Sequence, residues 1–186
     1  MEALVIITKI DLANVTTNVV GDLAIVRGKM APRSRAPMDA RFRKAGPGDA
    51  ALLAPLNAHL IRDEGHRNTM SVPQLAERMA KWLRGEYRAV VFESAGAVVG
   101  YALYREEPDH VYLRQFFVAP GQRRRGIGRG ALDWMWAHAW RGERRLRIDV
   151  LAGNANGIAF WRGVGLKDYC ITMEMERPST TAVKAR

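Results

Sequence analysis

One stretch constrains this chain more than any other. Phe116, Phe117 and Val118 end an apolar strand that runs out at Pro120, and a glycine-studded basic turn follows from Gly121 to Gly130. Leu132, Met135, Trp136 and Trp140 then recur at helical spacing. Strand, turn and helix in that order demand a layered α/β unit. The first N–H groups of a helix lack internal partners and point outward, which suits phosphate oxygens. Gly126, Gly128 and Gly130 carry no Cβ, so a pyrophosphate can approach the backbone. Arg123, Arg124, Arg125 and Arg129 add positive charge and donors. The stretch is a candidate phosphate site.

Composition narrows the setting. The 186 residues suffice for a single core, and 48% apolar with 26% charged residues excludes a disordered or fibrous chain. No apolar run approaches the ~18 residues of a membrane-spanning helix, and the start at Met1-Glu2-Ala3 carries no basic leader. A lone Cys170 makes neither an intrachain disulfide nor a zinc cluster, so a cytoplasmic protein without a membrane partner is expected. His59, His66, His110 and His138 show no metal-ligand spacing. The net charge of +10 is uneven, with eight Arg against Asp133 and Glu143 between Gly121 and Arg147. Such a patch attracts nucleic acid, an acidic membrane surface or a phosphate-rich cofactor. No helix-turn-helix or aromatic RNA-binding signature accompanies it, so a stable nucleic-acid partner is not expected.

The pattern predicts a strand at Arg41 to Ala45 and a helix capped by Asp49, with Leu52, Leu53, Leu56 and Leu60 on its apolar face and a kink at Pro55. Ser71 to Gln74 is a capping box opening a second helix through Leu75, Met79, Trp82 and Leu83. Arg88 to Glu93 and Ala97 to Arg105 form a hairpin around Ser94-Ala95-Gly96, and His110 to Val118 is a further strand. A helix from Gly126 to Trp140, a strand from Leu146 to Leu151, a helix from Asn154 to Val164 and a last strand from Asp168 to Glu176 complete the order. Hairpins first and a strand-helix-strand crossover later predict an α/β fold: a mixed, mostly antiparallel twisted sheet with helices on both faces. Residues 1–38 read as an extension or linker, with Leu4 to Ile10 and Val19 to Val26 as an alternative loose strand pair. Residues 178–186 read as a polar tail.

Two families use such a turn. Gly126-x-Gly128-x-x-Ala131, with Asp149 downstream, fits the dinucleotide-binding pattern, but one strand-helix-strand unit is too few for that fold. The chain more closely resembles the GCN5-related N-acetyltransferase (GNAT) superfamily. Its acetyl-CoA signature stands here as Arg123-Arg124-Arg125-Gly126-Ile127-Gly128, preceded by Val118-Ala119-Pro120. The resemblance covers about Phe42 to Glu176 and frames 39–177 as an acetyltransferase domain. It implies acetyl-CoA as cofactor, with Phe117, Val118 and Arg123 to Gly130 along it. It also implies direct attack of a small-molecule or peptide amine on the thioester carbonyl, polarised by a backbone N–H near Val118. A homodimer is left open.

The family's second motif resembles Asn154 to Trp161, followed by Gly165-Leu166. Asn154 is placed as a helix cap, and the resemblance also brings it to the pantetheine region. Trp161 stands where the family commonly has a Tyr that protonates the leaving thiolate, and an indole N–H is no usable acid. Trp161 is then either a wall of the cofactor groove or a donor to the thiolate, with Tyr169 or water as the alternative acid. Tyr112 stands where some members carry a Glu base, and His110 is a candidate base by its intrinsic pKa. Asp63 and Glu64, between the first two helices, border the acceptor groove if the resemblance holds, and would there favour a cationic amine. The alternatives are a non-catalytic acyl-CoA-binding protein on the same fold, a dinucleotide-binding module and a basic nucleic-acid-binding module.

Overall fold

The computed structural model describes residues 39–140, 142 and 145–175. The expected N-terminal strand pair and polar tail lie outside them. The elements are β1 (Arg41–Ala45), α1 (Ala50–Asp63), α2 (Val72–Arg84), β2 (Arg88–Ser94), β3 (Ala97–Glu106), β4 (His110–Val118), α3 (Ile127–His138), β5 (Arg145–Arg147) and α4 (Ala155–Gly163). The sheet order is β1-β2-β3-β4-β5, antiparallel except for the parallel β4–β5 pair. This is the mixed, mostly antiparallel sheet that the pattern predicts.

Alternation along the strands divides the core into two layers. Val90, Phe92, Ala102, Leu113, Ile127, Met135 and Trp161 pack on one face, beneath α3 and α4. Leu53, Met79, Val91, Tyr101, Leu103 and Phe117 pack on the other, beneath α1 and α2. Gly100 leaves no room for a side chain within the sheet: a Cβ there would sit 2.3 Å from the Phe117 carbonyl oxygen and 2.8 Å from the Phe92 ring. The Ser71–Gln74 box forms, with the Ser71 N–H donating to Gln74 Oε1 at 2.8 Å.

Three local expectations change. Asp49 does not cap α1 with its side chain; a short 3-10 turn at Pro47–Asp49 intervenes, and its carboxylate accepts from Arg43 and from the Gly46 N–H. β5 covers only Arg145–Arg147, although Ile148 and Val150 still pack on the α3/α4 face. Alternation fixes which face is buried; it does not supply a ladder partner. The expected last strand is absent over 168–175, where Tyr169, Ile171, Met173 and Met175 are exposed. A strand has no internal hydrogen bonds, and no neighbour among the described residues pairs with this segment.

Candidate functional site

The basic turn leaves β4 through a 3-10 turn at Pro120–Gln122 and enters α3 at Gly126, whose φ of 83° lies in the left-handed region that favours glycine. Arg124 also takes a left-handed φ, 63°, a strained value for a side chain of this kind. The first backbone bond of α3 runs from the Gly130 N–H to the Gly126 carbonyl, so the N–H groups of Ile127, Gly128 and Arg129 precede the ladder. That donor set fits a pyrophosphate. Gly128 has a further packing reason that the sequence did not reveal. A Cβ there would sit 3.1 Å from the Phe160 ring and 3.4 Å from the Phe116 ring.

The signature arginines divide in their work. Arg123 donates from Nε to the Val118 carbonyl at 2.8 Å, pairs with Asp63 and lies over the Phe117 ring. Arg129 donates to the Gly163 carbonyl at the end of α4, at 2.9 Å. These two tie the turn to α1 and α4. Arg125 donates to the Gln122 side chain at 2.5 Å. Arg124 and Arg125 have no ion pair among the described residues.

β4 opens away from β5. Pairing stops at Tyr112↔Arg147, so Leu113 to Val118 have no β5 partner on the way to the turn. Beside that opening Trp161 is buried, edge-on to Phe116 and Phe160 with centroids 5.2 and 4.9 Å apart. Asn154 caps α4 by accepting the Gly157 N–H at 2.9 Å. Its side chain also reaches Glu64.

The expected acid–base residues gather elsewhere. His110 lies opposite Arg145 at the closed end of the β4–β5 pair, roughly 25 Å of strand rise from Val118, with Nδ1 2.7 Å from Asp109. Tyr112 donates to Asp149 at 2.7 Å; burial first, and that carboxylate next, push its hydroxyl pKa up to about 12. Tyr169 is exposed, with the Arg147 guanidinium 4.8 Å from its ring centre. By contrast, Asp63 comes directly beside the turn, on Arg123, and Glu64 beside the start of α4, on Asn154. Burial first, and the neighbouring Asp63 next, hold the Glu64 carboxyl above the usual range, partly offset by Asn154.

A polar cluster that sequence reasoning missed continues from Glu64 across the α1/α2 face. Tyr101 donates to Gln115 at 3.0 Å, and Arg78 donates to the buried Asn57 at 3.0 Å. Arg78 and Arg114 both lie on Trp82, 4.6 and 4.9 Å from its ring centre. Arg114 is there because β4 bulges: Leu103 pairs with Gln115 and Tyr104 with Leu113, leaving Arg114 as the extra residue. A lone Arg between Leu113 and the Phe116-Phe117 pair was the available signal. A cavity of about 300 Å³ lies at the far edge, between β1 and the β2–β3 turn, and holds none of these groups. Among the described residues no cluster of His, Cys, Asp and Glu is built to hold a metal.

Residues 57–166 match the Acetyltransferase (GNAT) family model. Among solved structures, a predicted acetyltransferase of Clostridium acetobutylicum with acetyl-CoA is similar at 18% identity and a TM-score of 0.60, over 74% of this chain and 96% of that one. An aminoglycoside N-acetyltransferase in complex with CoA is 14% identical with a TM-score of 0.60, over 75% and 95%. A ribosomal-protein-alanine N-acetyltransferase of Brucella melitensis is 14% identical with a TM-score of 0.59, over 74% and 99%. No curated protein sequence matches significantly.

Proposed function

The chain belongs to the Acetyltransferase (GNAT) family, and on that premise we propose that it transfers an acetyl group from acetyl-CoA to a primary amine of a small molecule or peptide by direct attack. The observation that carries this reading is the opening of β4 from β5 beyond Tyr112, which leads straight into helix N–H groups that have no partner in the ladder. Bound acetyl-CoA would supply the activated thioester. The N–H groups of Ile127, Gly128 and Arg129, with the Arg124 and Arg125 side chains, would hold its pyrophosphate. The edge of β4 that β5 leaves uncovered at Phe117 and Val118 would flank the acyl end, and the backbone N–H near Val118 would polarise the carbonyl oxygen.

Glu64 is the side chain we assign to take the amine's proton. It sits at the end of α1 beside Asn154, and its raised pKa brings it toward the working range of a base. His110 and Tyr112 are engaged at the closed end of the strand pair. Trp161 supports a wall role through its buried aromatic contacts, with a water left to return the proton to the thiolate. We place the catalytic domain at 39–177 and the enzyme in the cytoplasm; among the described residues no helix is long and apolar enough to cross a membrane.

Calorimetry with acetyl-CoA and with NAD, followed by thiol release over a panel of amines, tests this. Binding of acetyl-CoA with amine-dependent thiol release is expected. Binding of NAD alone would overturn it, and acetyl-CoA binding without thiol release from any amine would favour the non-catalytic acyl-CoA-binding reading that Trp161 raises.

A further inference from the structure

We propose that the acceptor carries a carboxylate, or another oxyanion of like geometry, and that Arg78 and Arg114 on the α1/α2 face bind it. The inference rests on the acetyl-transfer reading only for the word acceptor; the anion site stands on its own geometry.

Two guanidinium groups share one indole, Arg78 from α2 and Arg114 from the β4 bulge. Neither has a carboxylate partner among the described residues, and the cation felt most by Arg78 is Arg114 itself. Two like charges this close repel, and the face of Trp82 offsets only part of that. Arg78 Nε and Asn57 Nδ2 are buried donors without a hydrogen-bond partner. Buried donors are normally satisfied, so these ask for an acceptor oxygen. Asp149 is engaged by Tyr112, Asp63 by Arg123 and Glu107 by Arg105, while Glu64, on the same face, accepts from Asn154 and makes no ion pair with either guanidinium. A forked carboxylate matches a guanidinium pair in shape and charge.

The same face joins this cation pair to the base. Tyr101 touches Gln115 and neighbours Asn57, Arg78 and Glu64. The same face therefore carries a carboxylate and two guanidiniums, the complement of an amine and an acid on one small molecule. The sequence had suggested a cationic acceptor on the strength of Asp63 and Glu64. Asp63 is instead neutralised by Arg123, and the cation pair that alters the balance is assembled only by the fold.

The test uses the full-length protein and matched acceptors of increasing length. Amino carboxylates from glycine upward, their amino phosphonate analogues, amino alcohols and diamines are compared by calorimetry and by thiol release. The best anionic probe is expected to bind at least about tenfold more tightly than its alcohol twin. Arg114→Gln should remove most of that preference, Arg114→Lys should retain part, and Arg114→Glu should turn it toward diamines. Arg78→Gln, checked for folding by circular dichroism, should weaken it as well. The phosphonate arm decides which oxyanion the site takes. Equal binding of alcohol and acid twins at every length, or an unchanged preference in Arg114→Gln, overturns the anion site. Anion preference in calorimetry with no thiol release from any acceptor overturns the transfer reading and leaves the anion site standing. Thiol release confined to neutral or cationic acceptors does the reverse.

Discussion

Two pairs of arginines in this molecule are treated in opposite ways. At the signature turn, Arg123 and Arg129 are held by a carboxylate and by main-chain carbonyls. Under α2, Arg78 and Arg114 lie against an indole with no acid partner among the described residues. Counted as charge they are alike. Paired arginines fasten elements together; Arg78, half-buried, and Arg114, exposed, make no such pair among the described residues, and we assign them a ligand. A basic motif therefore overstates how many of its arginines are left without a protein partner, and an unremarkable helix and a strand bulge each carry one that the motif does not announce.

The largest effect is expected in the sheet on which both groups of arginines are mounted. Gly100→Ala forces a methyl against the Phe117 carbonyl and the Phe92 ring. It should cost about 3 kcal/mol or more in denaturant unfolding and weaken both ligand sites together. Loss at one site alone would show that the faces do not share this support.

Gly128→Val acts on the cofactor face. The added groups press on Phe160 and Phe116 and stand over the N–H donors of α3. Acetyl-CoA affinity should fall about a hundredfold, with a stability loss of about 1–3 kcal/mol by overpacking. Calorimetry and melting separate the two, and unchanged affinity would move the phosphate site off this turn.

Glu64→Gln acts between the faces. In the parent enzyme kcat/KM should rise with pH as Glu64 loses its proton, at a midpoint above the ordinary Glu value because burial raises it. The variant should lose this limb and about a hundredfold in rate, without a comparable loss of acetyl-CoA affinity. The stability sign is opposite to that of a paired carboxylate. A raised folded pKa gives stability that is full below the unfolded value and lost as pH rises through the folded one. The variant should therefore gain slightly at neutral pH, by less than about 1 kcal/mol after solvent screening. A persistent acid limb would assign the base elsewhere.

Trp161→Phe should keep turnover within about threefold at saturating acetyl-CoA, as a wall residue would. A large fall in turnover with unchanged binding would give the indole N–H a role at the thiolate. The smallest effect is expected from Asp63→Asn, which frees Arg123 on an exposed pair. It should cost below about 1 kcal/mol and leave anion preference untouched, which keeps the two arginine groups separate.

The sequence by itself determined the order of elements through the last helix, the two-faced sheet and the glycine-studded basic turn at the start of α3. Each is written in local spacing: glycines where a helix begins, apolar residues at period two or near four, a Ser-to-Gln box. Trp161 was legible for the same reason, as a departure within a contiguous motif. Tertiary structure alone decided which arginines are paired. Asp63 and Arg123 lie 60 positions apart, and Arg114 reaches Trp82 only because a one-residue bulge turns it onto the α2 face. It also decided where the expected strands fail, since a ladder needs a partner that no local pattern supplies. Spacing along a chain determines local conformation; charge neutralisation and backbone pairing depend on which distant residues the packed sheet brings together.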